Sequence, residues 1–457
     1  MAGFFALSVE LEKYKGDFLE DLFWQTFYQQ HLGEDYAGLA TCNGGRIHIR
    51  THRGLFRPTF GDDMAGLEGT MGVGYCGDNR EPVLVDSKSG EFTACFSGNI
   101  INRDELVERF KTQGHSFTWE GTDIEIITKL IAQGEGFVDG IQRMNDEVKG
   151  AYSLSLLTPE GIYMACDPSG RWPLIIGEKE GAVAATTDPI GFENWGFSYQ
   201  RDVEPGEIIL LKDGYAETVG KLPSTKTQIC TFVWVYTNFP NSVFKNVPVS
   251  AVRKRLGAIL ARRDIEQGFI PDVVAPVPDS GRFCAIGYHQ EFCRQINEGK
   301  IDRIPEYDEV LMKYPYAGRS YPRSNQMKRD LEAHIKQLGS GEKYSGKVIV
   351  ICDDSIRRGT QTERTLVPKL RALGIKEIHV RISNPDSLSY CCWGKTIQKG
   401  ELLATRIPSM KKRITFLHVD SLVHPTVQEL AEAVGLPLET LCVDCNLPSQ
   451  STLGYIC

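Results

Sequence analysis

The stretch KVIVICDDSIRRGTQT, residues 347–362, constrains the fold of this chain more than any other. Val348 to Cys352 form an unbroken apolar run of strand length, which predicts a strand covered on both faces, as in a parallel sheet. Asp353 and Asp354 stand at its carboxyl end. Ser355, Arg358, Gly359, Thr360, Gln361 and Thr362 follow, ahead of a helical pattern from Glu363 to Leu373. Such a loop can turn backbone N–H groups and a helix N-terminus toward an anion. Two carboxylates beside a phosphate-sized nest suit a phosphorylated sugar, with the acids holding ribose hydroxyls and a hydrated Mg²⁺. An Asp-Asp pair alone is more simply an acidic helix cap.

The surrounding pattern decides between these readings. From Gln228 onward, helices (Val249–Arg263, Ala285–Glu298) alternate with buried strands (Val273–Val277, Glu377–Ile382), which predicts an α/β, doubly wound parallel sheet with its ligand at the strands' carboxyl ends. The turn PVPDSG (276–281) directly follows one of those strands. Residues Gly3 to about Thr225 read differently, as short strands (Tyr152–Leu157, Ile162–Ala165, Ile208–Leu211) with helices over Leu19–Gln30 and Thr122–Gln133. GKLPSTKTQ (220–228) reads as a linker, giving domains at 1–225 and 226–420 and a C-terminal segment at 421–457.

At 457 residues the chain is too long for one ordinary domain. A charged fraction of 24% and no apolar run near the ~20 residues needed to cross a bilayer predict a soluble protein without a membrane partner. A net charge of −8 argues against a nucleic-acid partner. The N-terminus lacks a secretion signal, and thirteen scattered cysteines suit a reducing compartment, so a cytoplasmic location is expected.

Taken together, the Asp353 loop and PVPDSG resemble the phosphoribosyl pyrophosphate (PRPP) site of amidophosphoribosyltransferases, which are type I phosphoribosyltransferases. The resemblance implies that Asp279, Ser280 and Gly281 contact pyrophosphate, with Ser280 near a Mg²⁺ held by Asp353 and Asp354. The segment MKYPYAGRSYPRSNQMKR (312–329) matches that family's closing loop at Gly318, Arg319, Gln326 and Arg329. Arg319 is implied to stabilise the departing pyrophosphate, and Lys313 to contact it. Ser320-Tyr321-Pro322 and Gln361 depart from the pattern.

The first half resembles the same family's glutamine-hydrolysing domain, an αββα N-terminal-nucleophile-hydrolase fold, through SGNIINRDEL (97–106), GAYSLSLL (150–157), DPSGRWPL (167–174) and RDVEPGEIILL (201–211). Its chemistry departs at three points. Ala2 stands where the family has its nucleophilic cysteine. No arginine follows Gly72-Val73-Gly74 to clamp the glutamine carboxylate, Arg80 being the nearest, and Ser97 and Gly98 stand where an asparagine and glycine form the oxyanion hole. Asp123 matches the ligand of the glutamine amine and reads equally as a helix cap. Cys76 and Cys95 are rival nucleophiles without an α-amino base. The expectation is a domain that kept its fold and lost glutaminase activity.

One class of the family carries a four-iron four-sulfur cluster, and Cys230, Cys391, Cys442 and Cys445 match its ligands, with Cys392 a one-residue rival to Cys391 and zinc the alternative occupant. The resemblance also implies a homo-oligomer, a dimer or tetramer, with purine nucleotide effectors. The leading expectation is phosphoribosyl transfer from PRPP to ammonia or another small nucleophile, independent of glutamine. A catalytically silent PRPP-binding regulator and a subunit fed ammonia by a separate glutaminase are the alternatives.

Overall fold

The computed structural model describes all residues except 1, 61–63, 119–120, 224, 315–336, 340–341, 395–399 and 448–457. The chain divides into two compact units. One comprises Met1–Val233 with Asn241–Asn246 and Cys392–Lys395; the other comprises Trp234–Pro240, Val247–Cys391 and Thr396–Cys457.

The first unit is built on two antiparallel sheets. In one, the strands lie in the order Ser198–Asp202, Ile175–Lys179, Ala182–Thr186, Gly3–Val9, Met71–Gly77, Tyr36–Asn43, Arg46–Arg53. In the other the order is Tyr215–Lys221, Glu207–Lys212, Ile162–Cys166, Gly150–Leu157, Gly90–Ile100, Val83–Ser87. Phe4, Ala6, Val73, Cys95, Leu157, Met164 and Ile209 fill the layer between the sheets. The helices Asp123–Ile131 and Phe137–Glu147 cover the outer face of the second sheet through Ile126, Ile127 and Ile141, and Phe18–Phe27 packs on the first. Every residue of Gly3–Val9 is buried, as a central strand sandwiched on both faces requires. Beyond the sheets, Thr225 N–H donates to the Pro168 carbonyl (3.4 Å), Gln228 N–H to that of Ser169 (2.8 Å) and Cys230 N–H to that of Arg171 (3.2 Å). The Arg171 guanidinium carbon lies 3.8 Å from the centroid of the Trp393 ring.

The second unit carries a five-stranded parallel sheet in the order Glu306–Tyr307, Val273–Pro276, Val348–Asp353, Glu377–Ile382, Ser421–Val423. Numbered along the chain this is 2-1-3-4-5, a doubly wound order. Its direction reverses between Val273–Pro276 and Val348–Asp353, where Val273 faces Ile349 and Pro276 faces Cys352. Helices Val249–Glu266 and Arg282–Asn297 pack on one face around Leu260, Tyr288 and Val350. Ile351, Leu366, Leu370 and Val380 belong to the core on the other.

The expected helix after the acidic pair differs in detail. Thr362–Leu366 is a wide π turn, which continues as an α-helix over Val367–Ala372. Pro368 sits at the start of that α-helix, where its missing N–H breaks the ordinary i→i−4 ladder and favours the change of pitch.

Beneath the sheet, Arg381 donates to Asp264 through Nε (2.7 Å) and Nη2 (2.8 Å), with Tyr288 donating its hydroxyl to the same carboxylate. Both charged side chains are almost fully buried. Replacing Arg381 with Met strands Asp264 and should cost about 3–5 kcal/mol. In urea unfolding, adding Asp264→Leu should recover part of that loss; a strictly additive double variant would contradict the pairing.

Candidate functional site

The reversal of strand order fixes where a ligand can sit. In such sheets, the loops leaving the two strands on either side of the reversal separate to opposite faces, leaving a crevice at their carboxyl ends. Here those loops are Val277–Gly281 and Asp354–Thr362.

Their contact is tight. The Cys352 carbonyl accepts the Val277 N–H at 2.8 Å, and the Val277 carbonyl accepts that of Gly281 at 2.8 Å. A methyl group on Gly281 would stand 1.9 Å from the Cys352 oxygen, so only glycine permits this approach. It places the Ser280 hydroxyl to donate to Asp353 Oδ1 at 2.9 Å, and the Asp354 N–H reaches the same oxygen at 2.8 Å. Ser355 donates to Asp354 Oδ2 at 2.6 Å. The backbone beneath the acids is held from the next strand, Ser383 N–H donating to the Asp353 carbonyl (3.0 Å) and Asn384 N–H to that of Asp354 (2.9 Å).

Burial, followed by the neighbouring Asp354 charge, pushes the Asp353 carboxyl well above the ordinary carboxylate range. A hydroxyl and two crowded carboxylates are a hard-oxygen donor set suited to a divalent cation. Asp279 is exposed and pairs with Lys313 (2.8 Å) and Arg282 (3.2 Å). Arg358 pairs with Glu401, and Gly359 takes a left-handed φ of 77° at the start of the helical turn bearing Thr360, Gln361 and Thr362. Arg319, Gly318, Gln326, Arg329 and Ser320-Tyr321-Pro322 lie outside the described residues. Sequence reasoning missed Ser383 and Asn384; their signal was a polar pair at the carboxyl end of a predicted strand.

In the first unit, Ala2 is buried, and its backbone occupies the Ser97 hydroxyl, which donates to the Ala2 carbonyl at 2.6 Å and accepts the Ala2 N–H at 3.3 Å. A methyl group on Gly77 would fall 2.0 Å from the Tyr75 hydroxyl and 2.8 Å from Ala2 Cβ. The stretch after Gly74 therefore has no room for an additional side chain beside Ala2. Gly98 is equally confined, 2.1 Å from the Ala151 carbonyl by the same construction. Arg80 is exposed. Asp123 is not the helix cap, a position held by Thr122; its Oδ2 accepts the Ile100 N–H at 3.4 Å. Cys76 and Cys95 are fully buried, and burial raises both thiols, the opposite of what a nucleophile needs.

Cys230, Cys391, Cys442 and Cys445 are not in disulfides. Burial pushes the Cys445 thiol up to about 11, with Cys391 adding to the rise and the Arg357 charge opposing it. Thiolates are the donor type that iron–sulfur clusters and structural zinc take. Among the described residues no three His, Cys, Asp or Glu side chains are gathered as a metal site.

A strand-order reversal flanked by an acid pair and a hydroxyl-bearing Pro-Gly turn defines the second unit as a phosphoribosyltransferase fold, and the facing sheets of the first are those of an N-terminal-nucleophile hydrolase. Residues 76–190 match the family described as a glutamine amidotransferase domain. The chain is 33% identical to an amidophosphoribosyltransferase of Methanothermobacter thermautotrophicus, with 93% of this chain and 89% of that protein covered. With that of Methanocaldococcus jannaschii the identity is 31%, over 93% and 92%. The fold is similar to that of the glutamine PRPP amidotransferase of Bacillus subtilis solved with ADP and GMP, with a TM-score of 0.85 at 27% identity, covering 98% of this chain and 96% of that one. The chain belongs to the amidophosphoribosyltransferase family.

The raised Asp353 carboxyl has a stability consequence. Its folded-state pKa lies above the unfolded value of ~3.9, so metal-free protein loses stability as pH rises through the interval between the two. Asp353→Asn keeps an oxygen for Ser280 and Asp354 but removes the charge. It should raise the metal-free melting temperature at pH 7–8 by roughly 2–4 °C, on the order of 1 kcal/mol. A lower melting temperature than wild type would contradict this account.

Proposed function

We propose that this chain transfers the phosphoribosyl group of PRPP to ammonia or another small nucleophile, releasing pyrophosphate, without hydrolysing glutamine. The observation that carries the transferase reading is the Ser280–Asp353 contact at the strand-order reversal, where an acid pair and a turn able to cradle pyrophosphate meet.

The reaction breaks the bond between the anomeric carbon and the pyrophosphate oxygen, forms one to the incoming nitrogen, and releases a proton from that nitrogen. Its transition state resembles an oxocarbenium ion, so the protein's work is positioning and charge stabilisation. Asp353 and Asp354 hold the ribose, and backbone N–H groups from Ser355 to Thr362 hold the 5′-phosphate. Asp279, Ser280 and Gly281 face the pyrophosphate, with Lys313 and Arg319 bringing positive charge to it. Mg²⁺, held by Asp353, Asp354 and Ser280, supplies further charge neutralisation when bound. Cys230, Cys391, Cys442 and Cys445 would be the ligands of a four-iron four-sulfur cluster, zinc being the alternative. The Bacillus subtilis relative was solved with ADP and GMP, and another solved relative, with a TM-score of 0.84, is described as the allosteric regulatory enzyme of purine biosynthesis. These support a role in purine synthesis and purine nucleotides as effectors.

The silence of the glutamine site rests on three features at once. Ala2 offers a methyl group, Ser97 is engaged by the Ala2 backbone, and the Tyr75 hydroxyl fills the space beside Gly77. With PRPP and Mg²⁺, ammonium should support pyrophosphate release and glutamine should not. Ala2→Cys should leave glutamate formation on the order of a hundredfold or more below an intact glutaminase, since the oxyanion donor stays missing. Glutamate release by the wild-type chain at the rate of its ammonia reaction would overturn glutamine independence; no pyrophosphate release with any amine would overturn the transferase.

A further inference from the structure

The helix Arg282–Asn297 opens on a residue that its own electrostatics disfavour. No acidic side chain lies in its first turn, and a cation there faces the positive end of the helix dipole. What holds Arg282 comes from outside the helix. Its Nε and Nη2 fork onto Glu309, donating to Oε1 at 2.8 Å and to Oε2 at 3.2 Å. The remaining amino group, Nη1, stands 3.2 Å from Oδ1 of Asp279 in the Pro276–Gly281 turn. Glu309 is itself well anchored, because the next two residues, Val310 and Leu311, are fully buried in the core.

The second oxygen of Asp279 is taken by Lys313, whose Nζ donates to Oδ2 at 2.8 Å. Lys313 ends the strand Leu311–Lys313, four residues after Glu309. Two rungs of charge therefore join the turn and the helix start to one short segment, Arg282 to Glu309 and Asp279 to Lys313, and Arg282 also reaches across to Asp279. All four side chains are partly open to solvent, so each pair adds little to stability and exchanges partners readily. Their value lies in where they stand. Lys313 is the cation that the transferase reading gives to pyrophosphate, and here it is paired with a carboxylate of the very turn that faces that ligand. When Lys313 turns to pyrophosphate, Asp279 confronts a polyanion with one cation fewer beside it. Arg282 is the cation that stays, since its fork on Glu309 does not involve Lys313.

We propose that Arg282 is a positioning residue for pyrophosphate binding: held by Glu309, it keeps Asp279 neutralised when Lys313 leaves that carboxylate for the ligand. This rests on the phosphoribosyltransferase reading above and adds to it a pair, Arg282 and Glu309, that acts through Asp279. It also accounts for an arginine at a helix start where an acidic residue would suit the dipole better.

The test measures, on the full chain, the KM for PRPP in ammonia-dependent pyrophosphate release and, separately, the Kd of inorganic pyrophosphate with Mg²⁺ by calorimetry. Arg282→Met should raise both roughly fivefold, with a smaller effect on kcat, and Arg282→Lys, which keeps the charge and loses the fork, should fall between it and wild type. Glu309→Gln should raise both roughly twofold. The deciding measurement is a cycle with Asp279→Asn. If Arg282 works by neutralising Asp279, adding Arg282→Met to Asp279→Asn should change the Kd of pyrophosphate by less than about twofold. The full penalty in that background would place Arg282 on the ligand directly and overturn the proposal, as would Arg282→Met with unchanged KM and Kd. An Asp279→Asn chain that no longer binds pyrophosphate would show that the carboxylate is required and not merely neutralised, which also overturns it. Should Arg282→Met fold poorly, Arg282→Lys carries the same cycle. A wild-type chain that binds pyrophosphate and shows this cycle, yet releases none from PRPP with any amine, sinks the transferase reading and upholds the role of Arg282; one that binds neither PRPP nor pyrophosphate sinks both.

Discussion

The approach of Gly281 to the Cys352 carbonyl is the constraint on which the transferase half depends. It draws the Pro276–Gly281 turn against the end of the neighbouring strand and so delivers Ser280 to Asp353. Neither loop would form a site alone. The turn would be an ordinary Pro-Gly connection, and the acid pair an ordinary acidic approach to a helix. Their meeting follows from sheet topology, because the reversal of strand order makes these two strands immediate neighbours while sending their crossovers to opposite faces.

The first unit is packed closely around its first strand. Tyr75 is fully buried with its hydroxyl over Gly77, and Ser97 bonds the Ala2 backbone. Interiors are packed nearly as densely as crystals, so a larger side chain at either position would force its neighbours to move. The pairing of the buried strands Gly3–Val9 and Met71–Gly77, from Gly3 opposite Cys76 to Ser8 opposite Met71, is a matter of backbone register and does not depend on which side chain stands at position 2.

Much of this was legible in the sequence. The run Val348–Cys352 is hydrophobic without alternation, which is diagnostic of a strand covered on both faces, and the structure places a strand at Val348–Asp353. Features set by neighbours far along the chain were not legible. The π turn at Thr362–Leu366 looks like ordinary helix in its periodicity, and Asp123 reads as a cap because nothing local reveals the Ile100 amide. The Tyr75 hydroxyl and the Arg171–Trp393 stack are invisible for the same reason: 222 positions separate the latter pair, and no periodicity reports such a contact.

The ladder from Pro168, Ser169 and Arg171 to Thr225, Gln228 and Cys230 bears on where the first unit ends as a piece of folded chain. The last strand of its two large sheets stops at Lys221, yet a fragment cut there would leave three carbonyls of a mostly buried turn without their donors. The segment after Lys221 is therefore better regarded as an edge of the first unit than as a tether, and the direction in which the polypeptide departs is fixed by backbone hydrogen bonds up to Cys230.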